Sequence, residues 1–394
     1  MGKNLTPVSG NERIHSIDAM RGFALLGIFL VNMVDFHSPF IYVDQMDYWG
    51  SQLNQWSMHA IDFFAQASFY PLFSFLFGYG FIIFRNRVIE RKGTFYPLMI
   101  RRLLFLMLLG VIHFTLVWHG DILFTYSLCG LLLLLLIKLN GTRLLQTGMV
   151  LWLIYAIFLF ILMLPLNALD FTSHQPNAIQ QSIEVYGNGS FKEITEQRIS
   201  DWSYVNGGWN GFFLLFVILP FFLFGAGFAK KGWLNGDVVN IPIIRKLLFI
   251  GMVGFLIKFL PFFFDSYAFL HLQDSFGGPL VSLFYIAFFV LFYQGGKRMK
   301  VFEWVGKLAL SNYLFQSFVS TLIFYNYGLG LYGEIGVSTG ILLLLIIFVV
   351  QVVLSKVWLN SFKYGPLEWV WRLVTYQKRF AIKRKEGTHF HEGH

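Results

Sequence analysis

The sequence predicts an all-α membrane protein, a bundle of about ten transmembrane helices with both termini in the cytoplasm. Three observations support this fold class: the composition, the number of long apolar runs and the distribution of positive charge. Of the 394 residues, 56% are hydrophobic and only 13% are charged, whereas a soluble domain carries about 25% charged residues. So little polar surface excludes a soluble enzyme, a disordered chain and a nucleic-acid-binding protein, despite the net charge of +9.

Ten apolar runs are long enough to cross a bilayer, whose hydrocarbon core of about 30 Å needs roughly 20 helical residues. The first run is not a cleavable signal peptide, because Asp18, Arg21, Asn32 and Asp35 interrupt it. The ten runs cover residues 17–35, 62–84, 98–118, 121–139, 145–167, 210–229, 243–264, 276–294, 305–326 and 338–358.

The positive charges test this count independently, because cytoplasmic loops collect Lys and Arg. If the N-terminus lies inside, the cytoplasmic segments hold 27 of the 30 Lys and Arg residues. Only Lys192, Arg198 and Lys258 lie elsewhere, and the opposite loops are mainly acidic. A miscount by one helix would mix the two classes of loop, so the distribution favours ten spans with both termini cytoplasmic.

The ten spans form one transmembrane domain over residues 1–360. Its longest outer loop, residues 168–209, is predicted to form either short amphipathic helices or a flexible chain. Residues 361–394 are expected to form a cytoplasmic interfacial helix that begins near Pro366, followed by a basic tail that binds membrane lipid. No metal site is predicted, because the one cysteine lies in a leucine run. The tail residues His389, His391 and His394 could bind a metal, but a solvated end is the expectation for them.

Polar residues within the first span are candidate functional groups, since ionisable side chains in spans usually face the bundle interior or a water-filled cavity. Arg21 and Asn32 are eleven residues apart, which places them on the same helix face, about 16 Å apart along the axis. Asp18 and Asp35 extend this polar stripe towards both ends. An equally good structural explanation is that Asp18 pairs with Arg21 while Asn32 bonds to a neighbouring helix.

The third span repeats this spacing, because Arg101 and Arg102 open it and His113 lies eleven residues after Arg102. A lone histidine in an apolar helix is more often a satisfied interior group than a catalyst. Asp121 begins the next span, where a carboxylate is favoured as a helix cap. If the two helices instead bring Asp121 to His113, the carboxylate would orient the imidazole and stabilise its protonated form.

Three other polar residues within spans are candidates for binding substrate. Lys258 lies in an otherwise apolar helix and must find an anion or extend to the interface. Asn312 and Gln316 are four residues apart and share a helix face, where hydrogen bonding between helices is the simpler explanation.

Several segments resemble the YeiB-like family of bacterial multi-pass membrane proteins, a domain of unknown function. The segments, which run through nearly the whole chain in family order, are Ile17–Ile28 with Val31-Asn32, Leu72–Gly80, Arg101-Arg102, Gly110–His113, Trp118–Leu123, Leu310–Tyr313 and Tyr364–Arg372. The resemblance implies a location in the bacterial plasma membrane.

This family is similar to the transmembrane acyltransferase superfamily, whose members move acyl groups from cytoplasmic acyl-CoA to acceptors across the bilayer. The shared pattern is Asp18, then Arg21-Gly22, then a polar residue eleven after the arginine. That residue is histidine in the acyltransferase-3 branch, whereas Asn32 looks more like the heparan-glucosaminide N-acetyltransferase branch. The catalytic histidine of the latter branch has no matching motif here.

The leading hypothesis is therefore a membrane O- or N-acyltransferase that moves an acyl group from cytoplasmic acyl-CoA to a small-molecule, sugar or lipid acceptor at or beyond the outer face. Acyl transfer needs a base and a donor to the developing oxyanion, so His113 is predicted as the base, Asp121 as its orienting group and Asn32 as the donor. The phosphates of coenzyme A are predicted to bind the arginine side chains of Arg21, Arg101 and Arg102. Predicted substrate contacts are Asp18, Asp35, Lys258, Asn312 and Gln316.

The alternative hypothesis is a small-molecule or lipid transporter, including a flippase, that performs no acyl chemistry. It would use the polar stripe as a passage and would depend on Lys258 rather than on His113.

Overall fold

The structure, a computed structural model, describes residues 14–44, 48–165, 174–234, 239–264 and 266–384. These residues are mostly helical and form no β-sheet, so the predicted all-α class is confirmed. The helices are α1 His15–His37, α2 Gln52–Phe64, α3 Phe69–Glu90, α4 Phe95–Leu116, α5 Leu123–Leu136, α6 Gly141–Met163, α7 Pro176–Asn188, α8 Phe191–Asn206, α9 Gly208–Lys231, α10 Ile241–Lys258, α11 Tyr267–Leu272, α12 Gly278–Gln294, α13 Lys300–Lys307, α14 Ala309–Phe324, α15 Val337–Ser361 and α16 Pro366–Tyr376.

Seven helical segments in the described residues are long and apolar enough to cross a bilayer. They are α1, α2 with α3, α4, α6, α9, α11 with α12, and α15. Three further predicted spans coincide with the apolar helices α5, α10 and α14, which are 14, 18 and 16 residues long. The chain is therefore a multi-pass membrane protein, and the count of ten spans stays a prediction.

Three of the predicted apolar runs are not single helices. The run 62–84 breaks between α2 and α3, where Ala67 adopts a left-handed conformation with φ of 56°. The run 243–264 leaves the α-helix at Lys258, because Pro261 disfavours helical geometry in the residue before it and removes a backbone donor. The run 305–326 is divided at Leu308, which separates α13 from α14.

The segment 168–209 is helical from Pro176 onwards, so the expectation of a flexible chain is wrong for the described part of this loop. The second of its helices, α8, begins with a capping box in which Ser190 and Glu193 satisfy each other's backbone amides. The hydrogen bonds from Ser190 lower the pKa of the Glu193 carboxyl. Residues 168–173 of this segment lie outside the described residues.

Helix α1 is the central element, since it packs against α3, α12, α13, α14 and α15. Its contact with α13 is unusually close. A Cβ atom on Gly22 would overlap the carbonyl oxygen of Phe302, and one on Gly306 would overlap that of Asp18. Small residues allow such backbone approach between membrane helices, and here they fix the position of the Asp18–Arg21 segment.

Helix α16 begins at Pro366, as the sequence predicts, and packs against α4 and α14. Its location at a membrane interface stays a prediction. Residues 385–394, which include the tail histidines, lie outside the described residues.

Candidate functional site

A cavity of about 330 Å³ opens among α1, α3, α4, α5, α14 and α16. Its volume lies at the lower end of the range for ligand pockets, about 300–1,000 Å³. The wall is mostly aliphatic and aromatic, but it carries six cationic side chains against two carboxylates, so the cavity favours an anionic ligand. These charged residues are Arg21, Arg87, Arg91, Arg102, Lys307 and Arg372, with Asp18 and Glu368.

The side chain of Arg21, a residue of α1, faces α3. Its Nη1 atom donates to Oδ1 of Asp18 at 3.3 Å, one helical turn earlier. A Cβ atom on Gly80 of α3 would lie 3.2 Å from Nη2 of Arg21, so the glycine leaves room for the guanidinium. The predicted Asp18–Arg21 pair is therefore present, and both residues line the cavity.

The two adjacent arginines of α4 have different environments. The guanidinium of Arg102 stacks 4.0 Å from the Trp371 ring and 4.6 Å from the Phe84 ring, and it lines the cavity. The indole of Trp371 also donates to the Arg102 carbonyl oxygen at 2.9 Å. Arg101 does not line the cavity. The structure therefore brings Arg21 and Arg102 together at this site and leaves Arg101 out of it.

Glu368 of α16 lines the cavity next to Trp371 and Arg372 of the same helix, and its carboxylate caps the start of α14. One carboxylate oxygen accepts the backbone amides of Leu310 and Ser311 at 2.8 and 3.1 Å, and the other accepts the Ser311 hydroxyl. A carboxylate is favoured at this position because the first amides of a helix have no partner within the helix. This contact fixes α16 across the cavity.

The predicted pairing of His113 with Asp121 is present and buried. Nδ1 of His113 lies 2.9 Å from Oδ1 of Asp121, and the two residues are 1% and 4% exposed. Because a carboxylate only accepts, the neutral imidazole carries its proton on Nδ1 and keeps the lone pair on Nε2. Nε2 is buried and has no hydrogen-bond partner among the described residues.

Tyr313 connects this pair to the cavity. Its ring lies 5.3 Å from the His113 ring, centroid to centroid, and Tyr313 itself lines the cavity. Ile122, the residue that follows Asp121, lines the cavity as well. The His113–Asp121 pair is thus separated from the cavity by one layer of side chains. His113 lies on α4, the helix that also carries Arg102, and the two residues are about 16 Å apart along its axis.

A second buried network lies beyond this pair and contains Asp35. Nε2 of His119 lies 3.1 Å from Asp35, and its Nδ1 lies 3.9 Å from Asp201 of α8. Asp201 also accepts the hydroxyls of Tyr42 and Tyr186 at 2.7 and 2.6 Å. The structure therefore places Asp35 with His119 and Asp201 rather than with the cavity.

Asp201 could not be identified as a site residue from the sequence. Its only sequence signal was an acidic residue in a loop with amphipathic periodicity, which does not predict a buried ion pair with a residue 82 positions away. Burial by itself lowers the pKa of His119, but the charges of Asp35 and Asp201 outweigh it, and the net effect raises the pKa above the usual 6.5.

The three predicted site residues with amide side chains, Asn32, Asn312 and Gln316, do not line the cavity. Asn32 is half-buried and does not line the cavity. Asn312 donates to the Val305 carbonyl and to the Ser355 hydroxyl at 2.9 and 3.0 Å. Gln316 donates to Gln351 of α15 at 2.9 Å. Asn312 and Gln316 thus take part in hydrogen bonding between helices, the simpler of the two explanations.

Lys258 is fully buried at the end of α10, in a third charged cluster. Its ammonium donates to the Gln66 carbonyl at 2.8 Å, and the carboxylates whose charges act on it are those of Asp62 and Asp274. Asp274 lies in a π-helical turn, Gln273–Gly277, between α11 and α12. In the described residues, no group of three or more His, Cys, Asp and Glu side chains lies close enough to hold a metal ion.

Comparisons with known proteins place the chain in a family. A family model described as "Protein of unknown function (DUF418)" matches residues 228–378. The chain is 35% identical to the uncharacterized protein YxaH of Bacillus subtilis (strain 168), over 97% of this chain and 99% of that protein. It is 31% identical to an uncharacterized 39.9 kDa protein from the amylase 3' region of Bacillus acidopullulyticus, over 97% of this chain and 99% of that protein.

The chain is also 27% identical to the uncharacterized protein YeiB of Escherichia coli (strain K12), over 92% of this chain and 96% of that protein. No solved structure matches the chain significantly. The match to YxaH extends over nearly the full length of both chains, and the resemblance noted in the sequence is confirmed. This chain belongs to the YeiB-like family of multi-pass membrane proteins, described as proteins of unknown function (DUF418).

Proposed function

We propose that the protein is an integral membrane acyltransferase, which takes an acyl group from cytoplasmic acyl-CoA and transfers it to a hydroxyl or amine acceptor at or beyond the outer face. The proposal includes ten spans in the bacterial plasma membrane with both termini cytoplasmic. The observation that carries it is a cationic cavity that ends one side-chain layer away from a buried His113–Asp121 pair.

Binding of the donor is supported by the charges at the cavity. Arginine forks suit phosphate oxygens, and Arg21 and Arg102 lie where the phosphates of coenzyme A would be bound. A volume of about 330 Å³ is too small for the whole coenzyme together with an acyl chain. The narrow thioester arm would therefore enter the cavity, while the nucleotide remains at its cationic mouth.

The acyl-transfer step follows from the tautomer of the neutral imidazole, which leaves the lone pair of Nε2 free to accept a proton. His113 Nε2 accepts the proton of the acceptor hydroxyl or amine as the acceptor atom attacks the thioester carbonyl. The new bond to carbon forms, the carbon–sulfur bond breaks, and the proton passes to the departing thiolate to give free coenzyme A. Asp121 is the positioning residue, since it holds the Nδ1 proton and stabilises the imidazolium.

A donor to the developing oxyanion is also required. Tyr313 is the candidate for this role, because it lines the cavity and contacts the His113 ring. Its hydroxyl would exchange the long hydrogen bond of 3.4 Å that it donates to the Gly120 carbonyl for one to the oxyanion. Asn32 was the residue predicted for it, but its side chain does not line the cavity, and the proposal does not depend on it.

The proposal is tested with purified protein and acyl-CoA. Acyl-CoA at about 100 times its Kd should stabilise the folded state by about 2.7 kcal/mol, and free thiol should appear as the thioester is consumed. Protein that neither gains thermal stability nor releases thiol with acetyl-CoA or palmitoyl-CoA would refute the proposal.

The second candidate function is transport. It is favoured by one specific observation, the fully buried Lys258 near Asp62 and Asp274, since ionisable residues inside membrane proteins often mark ion or substrate pathways. Transport predicts movement of substrate into vesicles without acyl-CoA, and its loss on substitution of Lys258 rather than of His113.

A further inference from the structure

A groove of about 340 Å³ lies between α4 and α14, and His113, which does not line the cavity, is one of its lining residues. Its walls are apolar and include Leu109 and Ile112 of α4 with Leu314 and Phe318 of α14. The start of α16 closes one end of the groove through Pro366 and Leu367.

In the described part of the chain, His113 is the groove residue whose side chain keeps an unused hydrogen-bonding atom. Its lining residues include only two polar side chains, His113 and Ser311. The hydroxyl of Ser311 is engaged, because it donates to Glu368 and accepts the Leu367 amide at 3.1 Å. Nε2 of His113 is buried without a partner in the described structure, so an acceptor nitrogen is left in apolar surroundings.

The groove opens on a surface that faces hydrocarbon. Ile112 and Phe318 on its two walls are 44% and 53% exposed, and the neighbouring Leu108 and Leu116 of α4 are 57% and 50% exposed. Exposed apolar side chains of this kind on a bilayer-spanning helix contact lipid tails. A molecule that approaches Nε2 from this side therefore comes from the bilayer rather than from water.

The groove also continues the line of the cavity. Along α4, the cavity lining ends at Leu106 and the groove lining begins at Leu109, one helical turn later. Tyr313 on the cavity side contacts the ring of His113 on the groove side. Donor and acceptor would thus approach the same imidazole by separate routes, the donor through the cationic cavity and the acceptor through the groove, and would meet at Nε2 of His113.

We infer that the acyl acceptor is a membrane lipid, whose alkyl chain lies in the α4–α14 groove and whose hydroxyl or amine reaches Nε2 of His113. This inference rests on the proposed acyltransferase function and names its acceptor. The base must contact the group that it deprotonates, and His113 lines the groove rather than the cavity. A water-soluble sugar would leave the apolar walls of the groove unused.

The experiment compares lipid acceptors with water-soluble acceptors that offer the same reactive group, a hydroxyl or a primary amine, but carry no alkyl chain. The full-length protein is reconstituted in phosphatidylcholine vesicles, which lack a free hydroxyl or primary amine, and supplied with labelled acetyl-CoA or palmitoyl-CoA. Monooleoylglycerol is compared with glycerol, and phosphatidylethanolamine with ethanolamine. We expect label in the lipid product for at least one lipid and about tenfold less label in its soluble counterpart. Burial of about two methylenes of the alkyl chain is enough to produce a tenfold difference in binding.

Two substitutions locate the acceptor in the groove. Leu314→Trp fills it from α14 and Ile112→Trp fills it from α4, and each should lower kcat/KM for the lipid acceptor about tenfold, mainly through KM. The control is Leu322→Trp on the same helix, a 38% exposed residue that does not line the groove, which should leave the rate within about twofold. Thermal unfolding of each variant checks that it is folded.

The outcomes separate this inference from the function on which it rests. Thioester consumption with label only in glycerol, ethanolamine or free acid overturns the lipid acceptor but leaves an acyl-CoA-dependent enzyme. Lipid acylation that responds equally to the groove and control substitutions overturns the groove as the binding site. Without any thioester consumption, the proposed function fails and the inference fails with it.

Discussion

Asp121 serves His113 and the start of α5 at the same time. Its Oδ1 atom lies 2.9 Å from Nδ1 of His113, while Oδ2 accepts the Phe124 amide at 2.8 Å. The sequence offered a helix-capping carboxylate or a partner of the histidine as alternatives, and the structure contains both contacts. The amide hydrogen bond fixes the carboxylate in place, so that the other oxygen can hold the imidazole in one tautomer.

The first prediction concerns this pair. In the acyl transfer assay, His113→Ala should lower kcat by about 100-fold or more, the typical contribution of a general base. Asp121→Asn should also lower kcat, because an amide no longer enforces the tautomer with its proton on Nδ1. The matched control is His59→Ala, since His59 lies on α2 and lines neither the cavity nor the groove. Undiminished turnover in His113→Ala protein would remove the assignment.

The second prediction concerns binding of the acyl-CoA donor, and it compares Arg102 with its sequence neighbour Arg101. Arg21→Gln and Arg102→Gln should each weaken acyl-CoA binding about tenfold, since a hydrogen bond to a charged group contributes about 1.5–3 kcal/mol. The effect should appear in KM more than in kcat and should shrink at high salt. Arg101→Gln is the control, because Arg101 does not line the cavity. Equal effects at Arg101 and Arg102 would contradict the position of the donor site.

The third prediction concerns the buried charge of Lys258. Lys258→Met should lower the free energy of unfolding by about 3–5 kcal/mol, because Asp62 and Asp274 would stay buried without their cation. Adding Asp274→Asn should restore part of this loss, with a coupling energy of about 0.5–3 kcal/mol in a double-mutant cycle. Thermal unfolding in detergent measures both effects.

The control for Lys258 is Lys246→Met, at an exposed position earlier in the same helix. Strictly additive effects of the Lys258 and Asp274 substitutions would show that the two charges do not interact. If substrate enters vesicles without acyl-CoA, and Lys258→Met abolishes this movement while the protein stays folded, transport becomes the better function.

The fourth prediction is a dependence on pH in the contact between α8 and the rest of the bundle. The pKa of His119 is raised above 6.5 by Asp35 and Asp201. A raised pKa means that the stabilisation is fully present below pH 6.5 and is lost as the pH rises through the higher value of the folded state. Thermal unfolding scanned from acidic to alkaline pH should therefore show a falling midpoint on the alkaline side.

Asp201→Asn should reduce this pH dependence and lower the free energy of unfolding by about 1–3 kcal/mol, since the buried hydrogen bonds from Tyr42 and Tyr186 lose their charged acceptor. The control is Glu196→Gln on the same helix, whose side chain is exposed and pairs with Lys192 at 3.8 Å. An unchanged pH profile in Asp201→Asn protein would show that Asp201 does not act on His119.

Much of the helical architecture could be predicted because apolar runs and polar spacing are local properties of the sequence. The runs located α1, α4, α6, α9, α12 and α15, and the position of Pro366 located the start of α16. The breaks at Ala67 and Leu308 were missed, since nothing in the residue types there marks a break in an apolar run. Their conformations depend on contacts with other helices, as where Gly278 packs on the carbonyl of Ala67.

The candidate site was predictable only in part. Spacing along one helix placed Arg102 and His113 on α4, and proximity in sequence suggested Asp121 as the partner of the histidine. The exclusion of Arg101 and Asn32 from the cavity could not be predicted, because a rotation of a helix by a fraction of a turn decides which of two neighbouring polar residues faces the interior.

By itself, the sequence determined that this chain is a helical membrane protein and which polar residues its helices carry, since hydrophobicity and helical period are set residue by residue. Only the tertiary structure decided which partners those residues have: Glu368 for the start of α14, and Asp201 for His119. The physical reason is that lipid satisfies any apolar helix face equally well, so the apolar pattern does not specify the neighbours of a helix. Close glycine contacts and buried hydrogen bonds between distant segments specify them instead.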